Sequence, residues 1–406
     1  MRERTLKHLT TTISGLVLAG MLAACSTQPT QSASVIPPPT IPEDYAPPSL
    51  LTLTPVEQLQ HYKAIEKTWL TQTVARGDTV HPLPLADEMI SPKVTWRDET
   101  YTDIQSFMDA SMMTGVLAIK DGEIILENYA HGRTEDDRWT SFSVAKSVTS
   151  LLVGAALKDG YINNLDDPVT DYIPNLAGSG YDGVTVRQLI TMTSGVQWNE
   201  DYEDPNSDVS QASFWQGEPG MNHLVSYMRR LPSAAEPGTE FSYKTGETDM
   251  AGILVAKATG RGLAQYLSEK IWKPYGMEQD AVWIVDRDGM ERGGCCMSMT
   301  LRDYGRIGQF ILDGGVADGE QVVPQWYLDE ATSNQLQMPA EDEYGYFWWM
   351  LGDNAYAAIG IFGQWIAVFP DEGLVVAVNS AFPRASSQEY SAAVSALLEG
   401  VRAELE

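Results

Sequence analysis

One serine and one lysine are spaced so that they could act together as a nucleophile and its base. Ser143-Val144-Ala145-Lys146 is the only Ser-x-x-Lys in the chain, and it opens a stretch with an apolar helical face. Residues three apart share a helix face, so the lysine amine could reach the serine hydroxyl, a weak nucleophile that needs a base. The helix N-terminus would stabilise a developing oxyanion and, with burial, lower the pKa of the lysine. The same residues also fit an N-cap serine followed by a solvated lysine, and the spacing alone does not choose.

The elements that must position this pair are β-strands near both ends of the domain and helices between them. An early hairpin is predicted around Lys120-Asp121-Gly122, and a late one around residues 370–373. A final helix is predicted from Ser386, with Glu389 completing a capping box. The predicted strands are 116–119, 123–129, 366–369 and 374–378, and the predicted internal helices start at Ser143 and cover 184–192, 247–259 and 300–312.

Strands that bracket a helical middle indicate an α+β fold. The simplest arrangement is one antiparallel sheet built from both chain ends, with helices packed on its faces as an α/β sandwich and a helical insert to one side. A cleft between the sheet and the insert would be the expected ligand site.

Other catalytic and metal-binding patterns are weak in this chain. A Ser-His-Asp hydrolase would need His131 or His223, and neither has a partner motif. There is no His-Glu-x-x-His and no Cys-x-x-Cys, so the sequence predicts neither a metal nor a cofactor. Cys295 and Cys296 are adjacent, with Cα atoms ~3.8 Å apart, below the usual disulfide range, and are expected to be a buried free pair.

The charge balance limits the possible partners. The chain has 406 residues and a formal net charge of −28. Such acidity makes nucleic acid a poor partner and favours solubility.

The first residues resemble the signal of a bacterial lipoprotein. A basic start and a short apolar stretch precede Leu22-Ala23-Ala24-Cys25, which is similar to a lipobox. An ordinary secretory signal with an incidental cysteine is the alternative. The resemblance implies lipidation of Cys25 and a membrane-anchored protein that faces the periplasm, in the outer membrane because Ser26 is not aspartate. The predicted organisation is a signal at 1–24, a Pro/Ser/Thr-rich tether at 25–60, an extension packed on the body at 61–114, and the main domain at 115–406.

The main domain resembles the serine β-lactamase and penicillin-binding-protein superfamily. Ser143 to Lys146 is similar to its first motif, and Tyr243-Lys244-Thr245 to the Tyr-x-Asn/Ser motif of its class C branch. The resemblance runs from about Gly115 to the C-terminus and implies a β-lactamase/transpeptidase-like fold. Four further segments resemble the 6-aminohexanoate-dimer hydrolase group: 192–195, 201–205, 300–303 and 360–364.

This resemblance implies a role for each matching residue. Ser143 would be the nucleophile, and Lys146 and Tyr243 would share proton transfer, with Tyr243 as base and later acid. Lys146 would be the cation that makes the Tyr243 phenol acidic enough. Tyr243 could instead be a core tyrosine, and Tyr202 a loop aromatic. The remaining implied roles are substrate binding for Tyr202, Thr245 and Gly360, and an oxyanion hole from the N–H groups of Ser143 and Ile361.

One family motif is altered. The Lys-Thr-Gly of β-lactamases corresponds here to Ala358-Ile359-Gly360, which keeps the glycine but loses the cation and hydroxyl that hold a penicillin carboxylate. The sequence therefore predicts a serine hydrolase that cleaves an amide, such as a linear 6-aminohexanoate oligomer, or an ester through an acyl-serine. The alternatives are an esterase, weak β-lactamase or peptidase of the same fold, and a catalytically silent cell-envelope binding protein.

Overall fold

The computed structural model describes residues 35–42, 45–336, 338 and 343–405. The predicted signal, Cys25 and the first part of the predicted tether lie outside the described residues. Within the described ranges, no helix combines the length and the apolar character that a membrane crossing requires.

The main sheet has six antiparallel strands from both ends of the domain, as predicted. Its order is β11-β12-β13-β14-β4-β5, so the last strand of the chain pairs with the first strand of the domain. The turn between β13 and β14 is the predicted one at residues 370–373. The strands of this sheet are β4 Met113–Lys120, β5 Glu123–Tyr129, β11 Trp349–Gly352, β12 Ala355–Gly360, β13 Gln364–Phe369 and β14 Leu374–Ser380.

Alternating side chains of the sheet supply two hydrophobic cores. In β14, Val375 and Ala377 belong to one core, while Val376 and Val378 belong to the other. Helix α11 (Leu301–Leu312) packs on the first face, and α13 (Gln388–Ala403) contributes to the core on the second. Both faces of the central strands are therefore buried, which explains their nearly continuous apolar sequence.

The helical middle forms the insert beside the sheet. Its two 15-residue helices, α3 and α8, pack against each other. The predicted helix at 184–192 is shorter than expected. The final helix is capped by Ser387 rather than Ser386, and the predicted capping box is absent: the Ser387 side chain accepts from the Tyr390 N–H, and Glu389 pairs with Arg97. The other helices are α1 Pro55–His61, α2 Ile104–Ser111, α3 Val144–Lys158, α4 Val169–Tyr172, α5 Val186–Ile190, α6 Asp208–Gln211, α7 His223–Met228, α8 Thr245–Thr259, α9 Leu263–Leu267, α10 Lys273–Tyr275 and α12 Gln325–Ala331.

A second antiparallel sheet brings residues from before the main domain next to the start of α3. Its order is β1-β7-β8-β6, and β6 ends three residues before Ser143. Its strands are β1 Thr71–Val74, β6 Trp139–Thr140, β7 Ala281–Ile284 and β8 Met297–Met299, and two short hairpins pair β2 Val94–Trp96 with β3 Glu99–Tyr101 and β9 Val316–Ala317 with β10 Glu320–Gln321.

The described part of the predicted tether is bound to the body, which corrects the expectation of a free linker up to residue 60. The backbone N–H of Leu70 donates to the Tyr45 hydroxyl at 2.8 Å, and the indole N–H of Trp69 donates to the Pro48 carbonyl at 3.1 Å. Leu50 and Leu51 pack against the second core. These apolar residues have a surface to bury, so the segment does not remain extended in solvent. Residues 45–51 are called the strap below.

Candidate active site

Ser143 is presented by a strained turn between β6 and α3. The preceding residue, Phe142, has φ = 43°, a left-handed conformation that is costly for a bulky side chain. Its ring is held between Tyr62 and Phe362, with ring centroids 5.1 Å away in both cases. Ser143 occupies the N-cap position, but its side chain makes no capping hydrogen bond. The hydroxyl is therefore not used to cap the helix, as the simpler interpretation of this serine required.

Lys146 is buried rather than solvated. The residue is 1% exposed, and its Nζ donates to Thr245 Oγ1 at 2.9 Å and to the Gly294 carbonyl at 2.7 Å. Burial lowers the pKa of Lys146 to about 8, although the carboxylates of Glu200 and Asp249 oppose that shift. The amine can therefore lose its proton near neutral pH, which a base for Ser143 must do.

Glu200 is a functional candidate that the sequence analysis missed. Its carboxylate accepts from the backbone N–H of Thr245 at 2.9 Å and from the Thr245 hydroxyl, at the N-terminus of α8. Lys146, Thr245 and Glu200 thus form one hydrogen-bonded chain. Glu200 lies in an acidic surface-like run, Glu200-Asp201-Tyr202-Glu203-Asp204, in which nothing distinguishes the one carboxylate that turns inward.

Thr245 differs from its predicted role in this arrangement. A hydroxyl has one proton to donate, and that of Thr245 goes to Glu200 rather than toward a substrate. Thr245 still lines the cavity beside Ser143. Its predicted contact with substrate stays a prediction.

Tyr243 lies beside Ser143 and Lys146, so the second motif meets the first. The Ser143 side chain is close enough to influence the pKa of the Tyr243 hydroxyl, and Lys146 Nζ lies 5.3 Å from the centre of the Tyr243 ring. The ring stacks on Trp349 at 5.3 Å.

The structure contradicts the prediction that Lys146 lowers the pKa of the Tyr243 phenol. Burial, helped by the charge of Glu200, raises the pKa of Tyr243 above that of a free tyrosine, and only the Ser143 side chain opposes it. Lys146 approaches the ring face, while its ammonium protons go to Thr245 and Gly294. Tyr243 is therefore arranged as a proton donor, and Lys146 is the group more easily deprotonated.

Gly360 lies against the backbone of the Ser143 turn at the end of β12. A Cβ atom at this position would lie 2.4 Å from the Ser141 carbonyl oxygen and 3.0 Å from the Ser143 nitrogen. Only glycine fits this close approach. The next residue, Ile361, lines the same cavity as Ser143, so the structure brings the two predicted oxyanion-hole residues together.

Tyr202 also lines this cavity, as the resemblance implied for a substrate-binding residue. Its hydroxyl donates to Glu200 at 2.7 Å, and burial together with that carboxylate raises its pKa. Glu200 therefore fixes the position of the Tyr202 hydroxyl, and the same carboxylate accepts a hydrogen bond from the Thr245 hydroxyl.

The cavity in front of Ser143 has a volume of about 400 Å³, within the range of small-molecule sites. One wall is the strap, and another is the pair Cys295–Cys296. The two cysteines are joined as a disulfide, which corrects the expectation of free thiols. In an extended strand, adjacent side chains point to opposite faces. Cys296 has φ = 72°, so the backbone is not extended there and the two cysteine side chains do not alternate in this way.

His223 has an acidic partner that no sequence motif indicated. Its Nδ1 lies 3.0 Å from Asp288 and 3.7 Å from Asp286, and it lines the cavity with Asp286. Burial raises the pKa of Asp286, and the charge of His223 opposes this. Among the described residues, these three form the group that could hold a metal ion. The carboxylates of Asp286 and Asp288 both lie next to His223 Nδ1, so the three side chains already interact with one another.

Comparisons with known proteins agree with this geometry. The sequence profile of the β-lactamase family matches residues 103–397. The chain is similar to the 6-aminohexanoate-dimer hydrolase of Paenarthrobacter ureafaciens, with 30% identity over 312 residues that cover 73% of this chain and 79% of the relative. It is also similar to the lovastatin esterase of Penicillium rubens, with 24% identity over 53% of this chain and 55% of the relative.

Solved structures share the fold. A Bacillus anthracis protein provisionally named as a 6-aminohexanoate-dimer hydrolase superposes with a TM-score of 0.76 at 21% identity, covering 87% of this chain and 97% of that one. A family VIII carboxylesterase superposes with a TM-score of 0.55 at 15% identity, covering 73% and 97%.

Proposed function

The chain belongs to the β-lactamase family of serine hydrolases, and we propose that Ser143 is the residue on which it forms an acyl-enzyme. Proteins of this kind cleave amide or ester bonds. The observation that carries the assignment to Ser143 is the meeting of two segments that are distant in sequence: the start of α3, with Ser143 and the buried Lys146, and the segment that contains Tyr243. No other arrangement of a hydroxyl with a base was indicated by the sequence.

In the proposed acylation, the Ser143 oxygen bonds to the substrate carbonyl carbon as its proton moves to Lys146. The amine of Lys146 can accept it because burial lowers its pKa to about 8. The backbone N–H groups of Ser143 and Ile361 stabilise the resulting oxyanion. Tyr243 then donates its proton to the leaving amine or alkoxide as the carbonyl–heteroatom bond breaks, and recovers a proton from Lys146.

Deacylation follows the same route with water in place of the leaving group. Lys146, neutral again after it has returned its proton to Tyr243, takes a proton from water as the water oxygen bonds to the acyl carbon. Tyr243 donates its proton to the Ser143 oxygen as the bond between that oxygen and the acyl carbon breaks, and Lys146 then gives its proton to Tyr243. Glu200 holds Thr245, and through it the Lys146 amine, in a fixed position throughout.

A fluorophosphonate probe tests this proposal against the alternative of a silent binding protein. We expect the probe to label wild-type protein and to leave folded Ser143→Ala unlabelled. Absence of labelling in folded wild-type protein would favour a binding protein. A panel of a nitrophenyl ester, a linear 6-aminohexanoate amide and nitrocefin then separates esterase, amidase and β-lactamase activity. The amide is included because the Paenarthrobacter relative is named for such a dimer.

We also propose that the protein is a lipoprotein anchored through Cys25 and facing the periplasm, in the outer membrane. The support is the lipobox-like Leu22-Ala23-Ala24-Cys25. Cys25→Ala should release the protein into the soluble periplasmic fraction or leave it unprocessed, as measured by fractionation and intact mass. Unchanged membrane association and processing of this variant would contradict the proposal.

A further inference from the structure

We propose that the strap completes an acyl-binding cavity and that this cavity selects substrates whose acyl group is apolar and carries no cation. The inference rests on the proposed function, since it assigns part of the substrate to a cavity in front of Ser143. The strap, residues 45–51, lies outside residues 103–397, to which the family profile is matched. It is therefore a feature of this chain that the family assignment does not explain.

The position of the catalytic groups decides which part of the substrate enters the cavity. Ser143 and Ile361 line it, whereas Tyr243 and Lys146 are not among the described residues that do. The leaving group must lie beside Tyr243, because that residue donates its proton. The cavity is therefore left for the acyl portion, which stays bonded to Ser143 after the leaving group departs.

The cavity surface is suited to hydrocarbon. The strap contributes Leu50 and Leu51, and Trp69, which is hydrogen-bonded to the strap, and Val209 also line the cavity. Phe214 lines the cavity as well and is 59% exposed, so much of its ring is available to contact a bound ligand. An acyl chain that enters past Phe214 would cover that ring.

Most charged groups on the cavity wall are already neutralised by the protein. Arg292 forms an ion pair with Asp249 at 2.7 Å and donates to Ser213 at 2.9 Å. Asp286 accepts from Asn222 at 3.0 Å and from backbone N–H groups.

Two charged groups remain to be considered. His223 is paired with Asp288. Arg287 is exposed and donates to the carbonyls of Phe214 and Trp215. A cationic acyl terminus inside the cavity would lose its hydration, and the carboxylate on the described wall, Asp286, is already occupied by Asn222 and backbone N–H groups.

The strap is fixed firmly enough to act as a wall. Its hydrogen bonds join Tyr45 to Leu70 and Pro48 to Trp69, and the Tyr62 hydroxyl donates to the Leu50 carbonyl at 3.3 Å. Tyr62 also packs on Phe142, the residue before the nucleophile. Tyr62 therefore contacts both the strap and the turn that presents Ser143.

The first test uses wild-type protein and nitrophenyl esters that differ only in the acyl group. We expect kcat/KM to be at least about tenfold higher for octanoate than for acetate, because each buried methylene is worth roughly fourfold when fully desolvated. We also expect hexanoate to exceed 6-aminohexanoate by about tenfold or more. Equal values along the series, or a preference for the cationic ester, would overturn the proposal.

The second test compares Leu51→Ala with Val56→Ala. Leu51 lines the cavity, whereas Val56 is 66% exposed and is absent from the described cavity wall. Leu51→Ala should reduce the octanoate-to-acetate ratio of kcat/KM about tenfold, and Val56→Ala should leave the ratio unchanged. An unchanged ratio in folded Leu51→Ala would remove the strap from acyl recognition. Failure of wild type to acylate Ser143 with any ester would instead contradict the proposed function, so the two failures are distinguishable.

Discussion

The proposed catalytic centre and the strap wall, which meet at one cavity, are built in opposite ways. The centre consists of buried polar groups: Lys146 is 1% exposed and linked through Thr245 to Glu200. The wall consists of apolar side chains such as Leu50 and Leu51. Buried polar networks depend on every partner, whereas an apolar wall depends on area and shape. Changes in the centre should therefore alter rate, and changes in the wall should alter substrate choice.

The largest effect is expected when the Tyr243 hydroxyl is removed from the proposed catalytic centre. Tyr243→Phe should reduce kcat/KM for a linear amide by roughly 10²–10⁴-fold, the usual range for a positioned acid–base group. A nitrophenyl ester should lose less, because nitrophenolate leaves without a proton. Tyr161→Phe is the matched control, because Tyr161 is 37% exposed and is not among the described residues that line the cavity. Equal losses on ester and amide would remove Tyr243 from leaving-group protonation.

Lys146→Ala should have the next largest effect, roughly 10²-fold or more in kcat/KM, because it removes the proposed base. In wild type the pKa of Lys146 is lowered to about 8, so kcat/KM should rise with pH as the ammonium loses its proton around that value. The variant should lose this rising limb. Lys158→Ala, at the exposed end of the same helix, should keep both rate and profile. A wild-type rate that is flat from pH 6 to 9 would contradict the role of Lys146.

A smaller effect concerns β-lactams. Because Ala358 stands where β-lactamases have a lysine, the missing charge-assisted hydrogen bond should weaken β-lactam turnover roughly ten- to a hundredfold or more, and nitrocefin should be turned over more slowly than a nitrophenyl ester. Steady-state kinetics on wild type measure this directly. Nitrocefin turnover that rivals the ester would mean that another residue, such as Arg287 or Arg292, holds the carboxylate.

Glu200→Gln should produce the smallest change in rate and a diagnostic change in pH profile. The negative charge of Glu200 raises the pKa of Lys146. The uncharged glutamine of the variant removes this effect, so the pKa of Lys146 should fall and the rise of kcat/KM with pH should occur at lower pH. Glu203→Gln, three residues away and exposed, should leave the limb in place. A shift in the opposite direction, or the same shift in both variants, would exclude Glu200 as the group that tunes Lys146.

The fold was predictable from sequence where local patterns agreed with the whole. The hairpins at both ends of the domain have strong turn residues, and they predicted the main sheet that the structure contains. The tether prediction was wrong in its described part, because proline-rich composition does not reveal that Leu50 and Leu51 find a buried surface. Composition indicates flexibility only when no such surface is available.

The site was predictable in its motifs and not in its electrostatics. Ser143, Lys146 and Tyr243 could be located because their spacing is local and their motifs are specific. The raised pKa of Tyr243 and the role of Glu200 arise from contacts between segments far apart in sequence. The partner of His223, Asp288, is 65 residues away and was missed for the same reason.

The most direct measurement of the central claim is intact-protein mass spectrometry after brief incubation with a nitrophenyl ester, followed by peptide mapping. The account predicts a mass increase of one acyl group, located on the peptide that contains Ser143, and no increase in folded Ser143→Ala. An adduct on another residue, or a Ser143→Ala protein that retains near-full turnover, would contradict it.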